Sequence, residues 1–404
     1  MTGPTTDVLI VGAGPAGSAL ATRLARAGHR VRVLERAHFP RDKPCSEYLS
    51  PGTIRALARL GVLDRVVAAG AVRLQGMRVF GPDGTMMAGR YRTDQLYPAP
   101  YPYALSLPRR TFDQILRDAA TDAGADVREG VRVEELVYER GAVAGVVARV
   151  GARRVVTRAR VVVGADGLRS AVARRLGPVR RLGPRRLALT AHVAGLAGVG
   201  DWGELHVGRL GYVGLGAIGD GLTTVALVLP VEAAQRIPDL RERFLGELDR
   251  FPALAGRARG ATLARRVLVT GPFARWSRRV VANGALLVGD AADFFDPFTG
   301  QGIFAAVHGA ELAAATLALA LVRDGIVTRA ALAPYVAARR AAFINKWLIE
   351  RAIGWGVGVP RLAGRVIERL ARRPALADLV VGAAGNFVPA RAVLSPGPLL
   401  RMVW

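Results

Sequence analysis

The sequence predicts an α/β protein with a Rossmann-type nucleotide-binding domain, an inserted mainly antiparallel β-sheet domain and a C-terminal helical segment. Three observations carry this. A strand, a glycine turn and a helix open the chain between Asp7 and Ala27. Two further apolar runs, Val161–Val163 and Ala285–Val288, each end in a glycine turn with an acid. Between them, residues 187–230 alternate apolar and polar with many glycines, the pattern of half-buried strands.

In the opening unit, Asp7-Val-Leu-Ile-Val11 reads as a short buried strand and Ser18 to Ala27 as a helix ended by Gly28. Arg30-Val-Arg-Val-Leu34 is a second strand, closing on Glu35. Gly12-Ala-Gly-Pro15-Ala16-Gly17 lies at the turn. Its first glycine makes the turn, its second admits a pyrophosphate and its third lets helix pack on strand. Glu35 stands where an acid can accept hydrogen bonds from an adenosine ribose.

The residues from Arg36 to Pro51 form a polar loop, and a helix from Thr53 to Leu60 ends at Gly61. Residues 72–105 alternate like strands, with Gly81-Pro-Asp-Gly84 as a hairpin turn. Tyr91, Tyr97, Tyr101 and Tyr103 stand among prolines, as wall or lid of a pocket or as rigid surface. Arg109 to Ala123 is a helix, and Asp126 to Val150 pairs strands about Gly141. Pro238 to Phe251 reads as a helix and Arg265 to Pro272 as a strand. The run from Gly302 to Val322 is the best candidate for a membrane span, but it carries His308 and Glu311 and reads as a buried helix. Helices follow to about residue 380, in a tail that holds Trp347, Trp355 and Trp404. These divisions give a nucleotide-binding domain of residues 1–75, 105–180 and 265–330. The substrate domain takes 76–104 and 181–264, and the C-terminal helical region 331–404.

Half of the 404 residues are hydrophobic, enough for a large core and against disorder. Cys45 is the only cysteine, which excludes an intrachain disulfide and a zinc site built on several thiolates. This favours a reducing compartment, the cytoplasm. The start of the chain lacks the basic region of a secretory signal. The net charge is +25, yet Lys43 and Lys346 are the only lysines, and the arginines are dispersed without a basic tail. A solvated arginine-rich surface explains this better than nucleic-acid binding. The same field favours an anionic cofactor or an acidic membrane surface; the tail reads as ordinary helix packing over the core, with peripheral contact to a membrane or lipid substrate as the alternative.

Three cofactor-type elements therefore stand in order: GAGPAG with Glu35, GADGLRS at 164–170, and GDAADFFDPFTGQGI at 289–303. A simple nicotinamide dehydrogenase needs only the first. FAD is long enough to meet all three where strand ends converge. Its adenosine would lie at Glu35, its pyrophosphate at Gly12–Gly17, its ribityl chain at Asp290 and its ring near Gly300–Ile303. A helix starting near Gly302 would aim its positive end at the pyrimidine edge, where charge gathers on reduction.

These motifs resemble the FAD-dependent superfamily of para-hydroxybenzoate-hydroxylase-type aromatic monooxygenases and geranylgeranyl reductases, over roughly residues 5–330. The resemblance implies that Gly12, Gly14, Pro15, Ala16 and Gly17 hold the pyrophosphate and Glu35 the ribose. It brings Arg36 and Arg109 to the phosphates and flavin side. It implies that Asp166, with Gly167, supports FAD and a passing nicotinamide, and that Gly289 and Asp290 bind the ribityl–pyrophosphate part. Pro297, Gly300, Gln301, Gly302 and Ile303 line the flavin.

Within that superfamily the motifs divide. Pro44-Cys45 and DPFTGQGI resemble the reductases, but Ser46, Glu47 and Tyr48 replace the glycines that follow the reductase cysteine. Their Tyr-x-Trp-x-Phe-Pro segment is replaced by Gly211-Tyr-Val-Gly-Leu-Gly216, and the Trp-x-Trp-x-Ile-Pro of flavin-dependent halogenases is absent. The resemblance thus points to an NAD(P)H-driven monooxygenase that hydroxylates a hydrophobic aromatic or polyketide-type small molecule. A geranylgeranyl-reductase-like alkene reductase is the alternative, and a non-catalytic basic nucleotide-binding protein a third reading. No second nucleotide fingerprint exists, so NAD(P)H would visit transiently. Cys45, Glu47 and Tyr48 are the catalytic candidates, with Cys45 also at the cofactor; Cys45 reads equally as a small residue that fits its loop. His308 reads as a core histidine, whereas His192 and His206 lie in the inserted sheet, where they could face substrate. No metal-ligand spacing is present.

Overall fold

The computed structural model describes residues 6–93 and 96–403. Trp404 and the first five residues lie outside the described residues, as do Asp94 and Gln95 within the alternating segment 72–105.

Val8–Val11 is the centre of a six-stranded sheet. It pairs in parallel with Val31–Leu34 on one side and with Val161–Gly164 on the other. Asp126–Arg128 extends the first side, and Ala285–Leu287 then Val281–Ala282 the second. All four residues of the central strand are buried, as expected of a parallel strand covered on both faces. Alternation divides them between two cores. Val8 and Ile10 face the helices Pro15–Arg26, Arg109–Asp122 and Gly302–Ala320. Leu9 and Val11 face a three-stranded antiparallel layer, Val131–Glu139, Ala142–Val150 and Arg153–Arg158.

The first helix begins at Pro15, three residues earlier than expected, because proline suits the first turn and nothing after Gly14 opposes helical geometry. Pro51–Leu60 begins at a Ser50 cap and ends on left-handed Gly61. Gly302–Ala320 is long and apolar enough to cross a membrane, yet it packs between Pro15–Arg26 and the following helix, Arg329–Gly356.

The inserted sheet has eight strands and is antiparallel except where Gly203–Val207 meets Gly76–Phe80 in parallel. One face packs on Phe244, Leu248, Phe251 and Leu254. The first three lie in the stretch expected to be a helix, Pro238 to Phe251, and there the expectation fails. Asp239 takes a positive φ of 49° immediately after Pro238, and the chain runs on as turns with one short 3-10 helix, Gly246–Arg250. The apolar residues still bury, so the periodicity reported burial and not helix. The strand expected at Arg265–Pro272 shortens to Leu268–Thr270, cut off by Gly271 at φ 128°.

The tail is longer in helix than expected. Arg329–Gly356, Pro360–Ala371 and Pro374–Ala384 are followed by Ala390–Leu394 and Pro396–Val403. Pro374–Ala384 lies against Met86–Arg90 at Gly89, where a Cβ would stand 2.5 Å from a Val381 methyl. The tail therefore closes over the second face of the inserted sheet, sharing a core with Val79, Met87, Tyr212 and Val228.

Candidate functional site

The C-terminal ends of the parallel strands open into a cavity of about 1210 Å³ that runs on beneath the inserted sheet and the tail. At its near end lies the first glycine turn. Gly12 has φ 102°, and a Cβ there would stand 2.6 Å from the Ala165 carbonyl oxygen of the neighbouring strand end. Gly17 packs inward, and its Cβ would meet the Gly12 carbonyl. Gly14 faces the void, with only Arg41 Nη2 within 4 Å, at 3.8 Å. No side chain caps this helix, its first turn has no acid, and Ser18 to Gly14 is its first backbone bond. The amides of Ala16 and Gly17 precede that bond, a ready anion site.

Glu35 lies beside the turn, almost wholly buried. Its Oε2 accepts the Ala13 amide at 2.8 Å and its Oε1 the Ala37 amide at 3.0 Å. Across the turn stand Arg41, Lys43 and Arg109. Buried Asp113 accepts both arms of Arg109 at 2.7 Å and Arg41 at 3.1 Å. Burial, then Arg109 and Arg41, depress the pKa of Lys43. Burial raises that of Asp290, against the pull of Lys43 and Arg109. A bound anion would relieve this crowding of cations.

The second and third motifs meet the same cavity. Asp166 and Gly167 line it, but both Asp166 oxygens already brace their own loop. Ser170 Oγ donates to Oδ1 at 2.5 Å and the Ala171 amide to Oδ2 at 2.6 Å. Asp290, Pro297, Gly300, Gly302 and Ile303 line the opposite wall. Gly300 is left-handed at φ 64°, and a Cβ there would stand 2.6 Å from the Tyr48 ring. The helix that starts at Gly302 has no side-chain cap and no acid in its first turn, so its positive end opens on the cavity.

Among the expected site residues, Gly12, Gly14, Pro15, Ala16, Glu35, Arg36, Cys45, Tyr48 and Arg109 also line the cavity. Four do not. Gly17 supports the turn, and Gly289 packs its loop on Ala16. Gln301 turns away to donate to the Ala384 carbonyl at 3.0 Å. Glu47, a catalytic candidate by sequence, is fully buried at φ 60°. Both its oxygens lie 2.8 Å from His192 Nε2 and one lies 3.5 Å from Arg265. It ties the cysteine loop to the inserted sheet, as a positioning group away from the void.

Cys45 Sγ accepts the Glu47 amide at 3.3 Å. Tyr48 shares a 2.5 Å hydroxyl pair with Tyr91, and burial holds its pKa well above the usual phenol range. Neither histidine of the inserted sheet lines the cavity: His192 is taken by Glu47, and His206 by Glu204 at 2.9 Å with Phe80 stacked on its ring. His308 is not a core histidine. It is half-buried on its helix surface, 3.0 Å from Glu311.

Sequence reading missed Arg41, Lys43 and Asp113, and it missed the wall beyond the glycines. There Asp296 accepts Tyr212 Oη at 2.5 Å and Arg186 Nη1 at 2.9 Å. Arg186 also donates to the Gly354 carbonyl at 2.7 Å. One signal was available: Lys43 is one of only two lysines and sits in the loop that leads to Cys45.

Comparison with known proteins accords with this geometry. An FAD binding domain family matches residues 5–201. The menaquinone reductase of Mycolicibacterium smegmatis is 31% identical over 334 residues, 76% of this chain and 75% of its own. The 6-methylpretetramide 4-monooxygenase of Streptomyces rimosus is 31% identical over 353 residues, 84% of this chain and 81% of its own. This chain belongs to the FAD-dependent oxidoreductase superfamily. Among solved structures, this superfamily member resembles a myxobacterial chondrochloren halogenase, with a TM-score of 0.78 and 25% identity over 98% of this chain and 96% of that one.

The residues present fit FAD. The uncapped helix at Gly14 and the cations Arg41, Lys43 and Arg109 suit its pyrophosphate, and Glu35 its adenosine end. Asp290 suits the ribityl chain, and the glycines Gly300 and Gly302 in the turn after Pro297 leave room for the ring.

Proposed function

We propose that this flavoprotein is an NAD(P)H-driven monooxygenase that hydroxylates a hydrophobic aromatic or polyketide-type small molecule bearing a long apolar tail. The observation that carries the reading is the mixed apolar lining of the cavity. It is aromatic through Tyr48, which stands beside Gly300, and through Tyr212, Phe294 and Phe298. It is aliphatic through Val366, Leu370, Val381 and Met402 from the tail. An aromatic head with an alkyl or prenyl chain matches both.

Bound FAD supplies the redox chemistry, taking electrons from a nicotinamide and activating dioxygen. The chain does the rest. Tyr212, pinned by Asp296, and Phe298, packed edge-on against it at 4.9 Å, give the cavity a fixed aromatic wall. The Tyr48–Tyr91 hydroxyl pair is a neutral donor for a polar group on the ligand head. The apolar wall excludes water from the reacting centre.

Alkene reduction is the second reading, favoured by DPFTGQGI and by the menaquinone reductase relative. Labelled dioxygen separates the two. The FAD-loaded protein, NADPH and a panel of long-chain phenols should yield product carrying one labelled oxygen atom. Product formed equally well without oxygen would sink the hydroxylase reading. A purified protein that takes up no FAD would favour a non-catalytic role.

A further inference from the structure

We propose that the face around the tail-lined end of the cavity docks on an anionic phospholipid bilayer. This goes beyond the reaction and does not depend on which of the two readings holds.

At this end of the cavity Pro360–Ala371 packs against both Arg329–Gly356 and Pro396–Val403. Leu362 and Leu399 line the cavity and are each more than a third exposed, so these helices bring apolar side chains to this end of the cavity. Around them Trp355 is 65% exposed, Leu400 57% and Val359 51%. An exposed cluster of large apolar side chains marks an interaction surface.

Its charge selects the partner. Arg351, Arg361, Arg365 and Arg401 are exposed on the same three elements. Arg361, Arg365 and Arg401 have no carboxylate partner among the described residues. From residue 329 onward the chain carries twelve cationic side chains and three acidic ones. Two of those acids are engaged elsewhere: Glu368 with Arg372 and Asp378 with Arg92. A second copy would bring the same positive charge to the contact and be repelled. A nucleic acid would match the arginines but leave the aliphatic side chains in water. An anionic bilayer satisfies both sets: tryptophan and leucines enter the acyl boundary while arginines meet headgroups. Pro360–Ala371 is built for this, with Ile367 and Leu370 buried and Arg361 and Arg365 outward. An apolar ligand then passes from lipid to cavity without crossing water.

The test is flotation of the full-length, FAD-loaded protein with two vesicle types, phosphatidylcholine alone and phosphatidylcholine with phosphatidylglycerol. The protein should float with the anionic vesicles and be released by salt. The difference emission between wild type and Trp355→Ser should shift to the blue on binding. Arg361→Gln with Arg365→Gln should weaken binding about thirtyfold, from roughly fivefold per arginine near an anionic surface. Trp355→Ser with Leu400→Ser should weaken it about tenfold or more. Unchanged flavin absorbance in both variants keeps misfolding apart from lost docking. Absence of flotation at low salt, or equal flotation of variants and wild type, overturns the proposal. So does lipid-free self-association that the same variants abolish, since a second copy would then cover the face.

Discussion

The Glu35 carboxylate accepts the Ala13 amide at 2.8 Å, tying the end of the second parallel strand to the glycine turn after the first. The residue read as a ribose acceptor therefore also shapes the pyrophosphate turn. Glu35→Ala should weaken FAD binding by about 1.5–3 kcal/mol, the worth of a charged hydrogen bond. Fluorescence titration of the apoprotein with FAD measures it, and unchanged affinity would count against the assignment.

Burial raises the pKa of Asp290 in its wall, and the charges of Lys43 and Arg109 oppose that rise. Asp290→Ala should yield a protein that purifies with little or no flavin. Full absorbance in the visible bands would refute the placement of the ribityl chain.

Gly300→Ala places a Cβ 2.6 Å from the Tyr48 ring at a left-handed φ. The backbone term is about 1–2 kcal/mol, and the clash adds to it. Lower flavin content together with a lower melting temperature is expected; a variant with normal flavin content and stability would show that the turn tolerates side chains.

Asp296 neutralises Arg186 in a buried setting that also holds Tyr212. Asp296→Ala leaves that guanidinium without its carboxylate, and unfolding in urea should show a loss of about 3–5 kcal/mol. Asp296→Asn, which keeps an acceptor, should lose less. Equal losses in the two variants would argue that the charge is not what matters.

Glu311 is pulled down to about 2, against desolvation, by hydrogen bonds from Arg59 and His308 and by Arg23. A carboxylate with a lowered folded pKa stabilises the fold above its unfolded value and loses that stabilisation as pH falls. The window therefore runs from about pH 5 down to about pH 2, and the effect is on the order of 1–2 kcal/mol after solvent screening. Acid unfolding of Glu311→Gln should be flatter across that window than that of the wild type.

The parallel sheet was legible because burial on both faces leaves unbroken apolar runs, as in Val8–Val11 and Val161–Val163. The three glycine motifs were legible because backbone approach to a cofactor demands glycine at fixed steps from a strand. What escaped depends on partners remote in sequence. Glu47 looks like a catalytic acid until His192, 145 residues away, is seen to occupy it. Lys43 feels Arg109 and Asp290, which no local spacing connects to it. The stretch Pro238–Phe251 has the apolar period of a helix, and one left-handed residue, Asp239, undoes it. The amphipathic tail does not say in its own letters which surface it covers.

That tail is fastened to the flavin-side loop at several points. Asp293 takes Arg339 and the Trp347 indole, Thr299 donates to Glu350 at 3.2 Å, and Gln301 donates to the Ala384 carbonyl. Such fastening prevents the helices from sliding relative to the loop. The spacing between the tail helices and this loop is thereby fixed, and under the proposed reaction the tail would work as a ruler: ligands that differ only in chain length should be modified at the same distance from their leading end.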